Sequence, residues 1–260
     1  MLSSVDLLVF DIDGVLLDTS KSFPEVIRLA VIEGFERFCG GISDSPCRIE
    51  EHFRLFKREG HFNDDYNISW TLACMAAAKG SPLLSECFPK PEEVEEALKS
   101  FKEPLREWVT ETFTNKIPYE EYRELCSELY RGKPGKKGLY TLEIPKLHVN
   151  WKHLPLPVAI YTGRDDTETE MALRTLGWRD FPREFIISSS TGIDKPSPEG
   201  LELLCKRTGS DFPCYFGDTA SDMKAQEAYG RGMFIAIGDL LPEADNCFAN
   251  VADAVRFVLG

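Results

Sequence analysis

Short apolar runs alternate with stretches of helical period near both ends of the chain, whereas the middle carries helical period alone. Residues 5–10 form a β-branched and apolar run that stops at Asp-Ile-Asp-Gly, a strand leading into a loop. From Pro157 onward, Val158–Tyr161, residues 185–188, residues 214–216 and Met233–Ile237 read as further strands. Helical spacing covers residues 168–176 (stopped by Gly177), 198–207, 221–229 and Val251–Leu259. Strands alternating with helices of this length need crossover connections. The expected fold is therefore α/β, a Rossmann-like core of three layers around a mostly parallel sheet.

The middle predicts no strand. Residues 23–38 place Phe23, Val26, Ile27, Ala30 and Val31 at three- and four-residue spacing, and 69–78, 92–101 and 119–130 repeat the pattern. Trp70, within it, and Trp108, between two of these stretches, read as core residues of the insertion. A Pro/Gly/Lys-rich stretch, 132–138, leads back towards the α/β part. The predicted organisation is an α/β core of residues 1–16 and 140–260, with an all-α domain of residues 17–139 inserted after the first strand. Hinges are expected at 17–20 and 132–138, where the chain crosses between them.

A net charge of −13 repels nucleic-acid phosphates and anionic membranes, so neither is an expected partner. No run approaches 18 apolar residues, which excludes a membrane-spanning helix. The first ten residues lack a basic start and a cleavage site, so no secretory leader is expected and the location is read as cytoplasmic. The 8 cysteines are scattered and form no C-x-x-C pair, as reduced, packed thiols would. The Asn-x-Ser sequon at 67–69 matters only in a secreted chain. Neither a G-x-x-x-x-G-K-[ST] loop nor a strand-linked G-x-G-x-x-G occurs.

Candidate chemistry collects at strand ends. Asp11 and Asp13, two apart in Asp11-Ile12-Asp13-Gly14-Val15, let one carboxylate attack while the other handles a proton. An EF-hand calcium loop also opens Asp-x-Asp-Gly, but its twelfth position here is Ser22 rather than Glu. Thr162-Gly163-Arg164 follows the next strand and offers a hydroxyl and an amide to a phosphoryl oxygen. Lys195, ahead of Pro196-Ser197-Pro198, can neutralise a transferring phosphoryl group. Asp218 and Asp222, four apart at a strand-to-helix junction, suit a hard cation such as Mg²⁺. Each tripeptide alone is commonplace; the four in this order, all after strands, are not.

That order resembles the haloacid dehalogenase superfamily: Asp-x-Asp-Gly-Val, then Thr162, then Lys195 before Pro-x-Pro, then Gly217-Asp218-x-x-x-Asp222. The insertion resembles the helical cap of its phosphoglycolate phosphatase and β-phosphoglucomutase branch. The resemblance implies Asp11 as a nucleophile that carries an aspartyl-phosphate, and Asp13 as general acid and base. It implies that Thr162, Gly163 and Lys195 hold the phosphoryl group. Mg²⁺ is implied on Asp11, the Asp13 carbonyl and Asp218, with Asp222 nearby. Branches that cleave C–halogen or C–P bonds lack the second aspartate, so Asp13 implies phosphoester hydrolysis. A sugar phosphomutase using the same aspartates, or a non-catalytic protein that binds a phosphorylated metabolite, are the alternatives. The partner implied is a small phosphorylated metabolite, and nothing demands more than a monomer. Its selection is expected from residues 54–67, His61 among them, and from Arg164 reaching a second anionic group.

Overall fold

The computed structural model describes residues 5–59, 61–114 and 116–260; Met1–Ser4, part of the segment read as no secretory leader, lie outside the described residues. The six strands of the main sheet are Leu7–Phe10 (β1), Val158–Tyr161 (β2), Ile186–Ile187 (β3), Pro213–Gly217 (β4), Met233–Ile237 (β5) and Cys247–Phe248 (β6). Their order is β6-β5-β4-β1-β2-β3, with every neighbouring pair parallel. Val9 sits between Ala159 of β2 and Tyr215 of β4. All four β1 side chains are fully buried, as expected of a central parallel strand covered on both faces.

Successive residues of β1 point to opposite layers. Leu8 and Phe10 join Ile160, Phe216 and Ile235 beneath helices Asp166–Leu176 and Val251–Leu259, which supply Ala172, Leu173, Val251 and Val255. Leu7 and Val9 join Ala159, Tyr161 and Tyr215 beneath helices Glu199–Thr208 and Ala220–Tyr229, which supply Leu201, Leu204 and Ala225. Trp178, fully buried and stacked on Phe181 at 5.8 Å, closes one side of the first layer. The three layers follow from this alternation.

The chain divides into two compact units. One contains the chain up to Ser20, Lys57–Asn63 and Glu143–Gly260; the other contains Lys21–Phe56 and Asp64–Leu142. The helical unit is built on Phe23–Cys39, Asp65–Lys79 and Tyr119–Arg131. Ser69 Oγ lies 2.8 Å from the Tyr122 hydroxyl and donates to the Ile27 carbonyl at 3.2 Å, tying all three together. Gly34 is required there, because a Cβ would stand 2.5 Å from the Tyr122 ring. Trp70 and Trp108 are buried within the same unit.

Short elements depart from the sequence expectation. Leu17–Asp18 pairs antiparallel with Ile144–Pro145, and Gly132–Lys133 with Lys136–Lys137, inside or beside a region expected to be free of strands. Two-residue ribbons carry no periodicity to detect. The same reason hides β6. Helices Glu50–Glu59 and Leu105–Thr112 also add to those expected. All eight cysteines are free thiols, six of them buried. No helix among the described residues is long and apolar enough to cross a membrane.

Candidate active site

The chain turns back at β1: β2 and β3 lie on one side of it and β4, β5 and β6 on the other. Parallel strands leave a crevice beyond their carboxyl ends at such a switch point. The Asp11 amide donates to the Phe216 carbonyl at 2.9 Å and the Thr162 amide to the Ile187 carbonyl at 2.9 Å, so ladder hydrogen bonds carry these residues to the ends of β1 and β2. Gly14, at φ 70°, makes the next turn. A Cβ there would lie 1.9 Å from Asp218 Oδ2, so only glycine lets the Asp218 carboxylate approach the loop after β1. Gly217 has the same function for Asp222, whose Cβ would be 2.4 Å away.

Asp11, Asp218 and Asp222 each present a carboxylate oxygen within 4.8 Å of the others. Lys195, 7% exposed, bridges two of them, with Nζ 2.9 Å from Asp11 and 2.6 Å from Asp222. The ammonium also lies 5.6 and 5.9 Å from the ring centres of Tyr161 and Tyr215, whose faces favour a cation. Asp222 is saturated. Its Oδ1 accepts from the Tyr215 hydroxyl at 2.6 Å, and its Oδ2 accepts from the Thr219 amide at 3.0 Å, the Thr219 hydroxyl at 2.7 Å and the Asp218 amide at 3.2 Å. Asp218 differs: its Oδ1 is buried with no hydrogen-bond partner.

Electrostatics follow from this crowding. Burial pushes the Asp11 carboxyl up to about 7, with Asp222 and Asp13 adding to the rise and Lys195 opposing it. Burial, then Asp11 and Asp222, drive Asp218 well above the carboxylate range. Asp222 is buried too, but Lys195 and the hydrogen bonds from Tyr215 and Thr219 outweigh burial and hold it below its ordinary value. Burial depresses Lys195, and Asp11 with Asp222 more than offsets that, so its ammonium is held above the ordinary range. Lys195 thus pairs with two of the three carboxylates, and Asp218 is left with the more distant charges of Lys57 and Lys195. An all-oxygen donor set, a shortage of positive charge and an unpartnered Asp218 oxygen together fit a hard divalent cation on Asp11 and Asp218, with Asp222 organising the loop behind.

The Asp13 carboxylate stays out of that trio. It is gripped by Arg164, with Nε 3.1 Å from both oxygens and Nη2 2.6 Å from Oδ1. Sequence reasoning sends Arg164 towards substrate; the structure buries it at 2% exposure, shared between Asp13 and Glu143. Glu143 carried no sequence signal. Thr162 is buried, with its Oγ1 3.3 Å from the Arg164 amide, and Gly163 is half-buried beside it. His61 is exposed within Lys57–Asn63, the short segment that belongs to the α/β unit. Asn63 from that segment donates its amide to the Lys195 carbonyl, and its own carbonyl would lie 3.4 Å from a Cβ on Gly163. Asn63 therefore joins the loops after β2 and β3, a role no spacing in the sequence announced.

The haloacid dehalogenase-like hydrolase model matches residues 5–230 of this chain. The chain belongs to that family. A phosphatase of this fold from Thermococcus thioreducens is 26% identical, with a TM-score of 0.65 over 96% of this chain and 99% of its own. A protein provisionally described as a phosphoglycolate phosphatase, from Lactobacillus delbrueckii subsp. bulgaricus, superposes with a TM-score of 0.61 at 18% identity, covering 99% of each chain. A haloacid dehalogenase superfamily hydrolase of subfamily IA from Geobacter sulfurreducens superposes with a TM-score of 0.53 at 16% identity, over 98% of this chain and 97% of its own. An imidazoleglycerol-phosphate dehydratase from Phytophthora nicotianae is 27% identical over 253 residues, 94% of this chain. The haloacid dehalogenase-like chain spans only 45% of that relative's length.

Proposed function

We propose that this chain is a Mg²⁺-dependent phosphatase that hydrolyses a small phosphorylated metabolite through an aspartyl-phosphate on Asp11. The observation that carries this reading is a second aspartate held apart from the first. Asp11 pairs with Lys195 at 2.9 Å, whereas Asp13 is turned onto Arg164 at 2.6 Å, so two carboxylates two residues apart have separate partners and separate tasks. The 26% identity to the Thermococcus phosphatase over almost the whole chain supports the reaction class.

In this reading an Asp11 oxygen attacks phosphorus and the ester P–O bond breaks. Asp13, entering this step as the carboxylic acid after taking a proton from solvent, gives that proton to the departing oxygen. Asp13, now a carboxylate, takes a proton from the water that attacks the aspartyl-phosphate. Inorganic phosphate leaves and Asp11 is restored. The Thr162 hydroxyl and Gly163 amide hold phosphoryl oxygens, and Lys195 balances their charge. Asp11, the Asp13 carbonyl and Asp218 would hold Mg²⁺, with Asp222 behind them; the bound ion supplies the positive charge that lets a phosphate dianion come near four carboxylates. The helical insertion acts as a cap that chooses the leaving group and excludes bulk water.

The test is phosphate release from a panel of phosphorylated metabolites, with Mg²⁺ or with chelator, on wild type and Asp11→Asn. Sugar phosphates, phosphoglycolate and, because of the dehydratase relative, imidazole-bearing phosphomonoesters belong in the panel. Metal-dependent release that vanishes in Asp11→Asn is expected. Release that persists in Asp11→Asn overturns the nucleophile, and a folded wild type that transfers phosphate between two positions of a sugar without releasing it favours the phosphomutase alternative.

A further inference from the structure

Arg164, Asp13 and Glu143 form a group whose members differ sharply in exposure. The Arg164 and Glu143 side chains are each 1% exposed, while that of Asp13 is 28% exposed. The guanidinium is fixed on three sides: Nη2 lies 3.0 Å from Glu143 Oε1, Nη1 lies 3.4 Å from the Glu168 carbonyl, and Nε with Nη2 grips both Asp13 oxygens. Burying an arginine and a glutamate together rarely adds net stability, because desolvation of both ions offsets their attraction. The arrangement is better explained by what it presents outward, a single carboxylate clamped from behind.

The chain path strengthens this. Asp13 bridges to Leu17, which opens the ribbon Leu17–Asp18. Glu143 immediately precedes Ile144–Pro145, the other half of the same ribbon. Arg164 comes from the loop after β2, two residues past Thr162. Three separate stretches therefore converge on one carboxyl group, and where it is held decides whether, carrying a proton, it reaches the leaving oxygen. Proton delivery needs the heavy atoms within about 3 Å, so an error of even 1 Å is expensive.

We propose that Arg164, oriented by Glu143, is the positioning residue that fixes the Asp13 carboxylate towards the leaving-group oxygen. This rests on the phosphatase reading given above. It replaces the expectation that Arg164 meets a second anionic group on the substrate. The clamp serves both proton transfers of Asp13, but kcat/KM reports only the first, protonation of the departing oxygen, which a poor leaving group needs and a good one does not.

That dependence supplies the test. kcat/KM is measured with Mg²⁺ for 2,4-dinitrophenyl phosphate, whose leaving group departs unaided, and for the alkyl phosphate that wild type turns over best. The proteins are wild type, Glu143→Gln and Arg164→Lys, each checked for folding by circular dichroism. Both substitutions conserve size, and Arg164→Lys conserves charge but cannot span Asp13 and Glu143 together. The expected result is that the ratio of alkyl to dinitrophenyl kcat/KM falls at least tenfold in both variants. A purely structural defect would lower both substrates alike and leave the ratio fixed. An unchanged ratio in folded variants, beside an active, Asp11-dependent wild type, overturns the clamp and leaves the phosphatase reading standing. A folded wild type inactive on every ester overturns both.

Discussion

Asp218→Asn should make the metal-free protein more stable while removing its response to Mg²⁺. Three carboxylates lie within 4.8 Å of one another, and Lys195 pairs with Asp11 and Asp222. Two unit charges that far apart repel by roughly 3–4 kcal/mol at an effective dielectric constant of 20. Asp218 meets two such repulsions, with Oδ1 buried and without a partner. Proton uptake and the shared lysine cap the strain, so removing the charge should relieve about 2 kcal/mol at neutral pH. For a chain of this size that raises Tm by about 4–8 °C in chelator. Wild type should gain about 3 kcal/mol when Mg²⁺ is supplied at a hundredfold excess over its Kd, and Asp218→Asn should gain almost none. Thermal unfolding followed by circular dichroism, with EDTA and then with Mg²⁺, reads both effects. A variant less stable than wild type in EDTA, or one stabilised by Mg²⁺ as strongly as wild type, would refute the reasoning.

Two further outcomes follow from the same cluster. Asp11 titrates near 7 in the folded protein against an ordinary 3.8, so the fold binds that proton more tightly than the unfolded chain does. The resulting stability is complete below about pH 4 and is lost as pH rises through about 7, a loss of order 4 kcal/mol for Asp11 alone. Asp222, which is held low, works in the opposite sense but only below the ordinary carboxylate range, outside this window. Urea midpoints in EDTA should therefore fall between pH 5 and pH 7.5 and level out when Mg²⁺ is added; a midpoint that rises in EDTA contradicts the sign. Gly14→Ala forces φ 70° on an alanine and sets its Cβ 1.9 Å from Asp218 Oδ2. The left-handed backbone costs about 1–2 kcal/mol. The larger loss should be in Mg²⁺ affinity, because the displaced atom is the end of a side chain that can swing aside. Titration calorimetry that finds wild-type affinity would rule this out.

The parts of this molecule legible in the sequence are those with a period or a fixed spacing. β1, β2, β4 and β5 announce themselves as apolar runs, and the helices beside them as amphipathic stretches. Asp11, Thr162 and Asp218 follow strand ends directly, and Asp13, Lys195 and Asp222 come later in the same connections, where a one-dimensional pattern predicts a loop in the crevice. What stayed hidden is set by tertiary contact. Glu143 reaches Arg164 only because the chain returns past Leu17–Asp18 after the whole helical insertion. Asn63 joins two loops of the α/β unit although it lies in a short connection between two helices, Glu50–Glu59 and Asp65–Lys79. Arg164 was visible as a charged residue beside Thr162 and Gly163, but an arginine's destination depends on which buried carboxylate lies within reach. The two-residue strand Ile186–Ile187 is legible because an apolar, β-branched run, 185–187, contains it, whereas Cys247–Phe248 has no such run around it.

The placement of β1 constrains the order in which the chain can fold. This strand leaves the ribosome before either of its partners, β2, which starts at Val158, and β4, which starts at Pro213. Closing a flexible loop from Phe10 to Val158 carries an entropic penalty of about 4 kcal/mol before any pairing energy is returned. A helical insertion that condenses on its own, through local contacts, shortens the effective loop and lowers that penalty. Until β4 emerges, an entirely apolar segment, Leu7–Phe10, has no neighbours on one edge and is the stretch most exposed to off-pathway association during synthesis. Asp11, directly after this strand, is therefore translated before both neighbouring strands and fixed in place only after them.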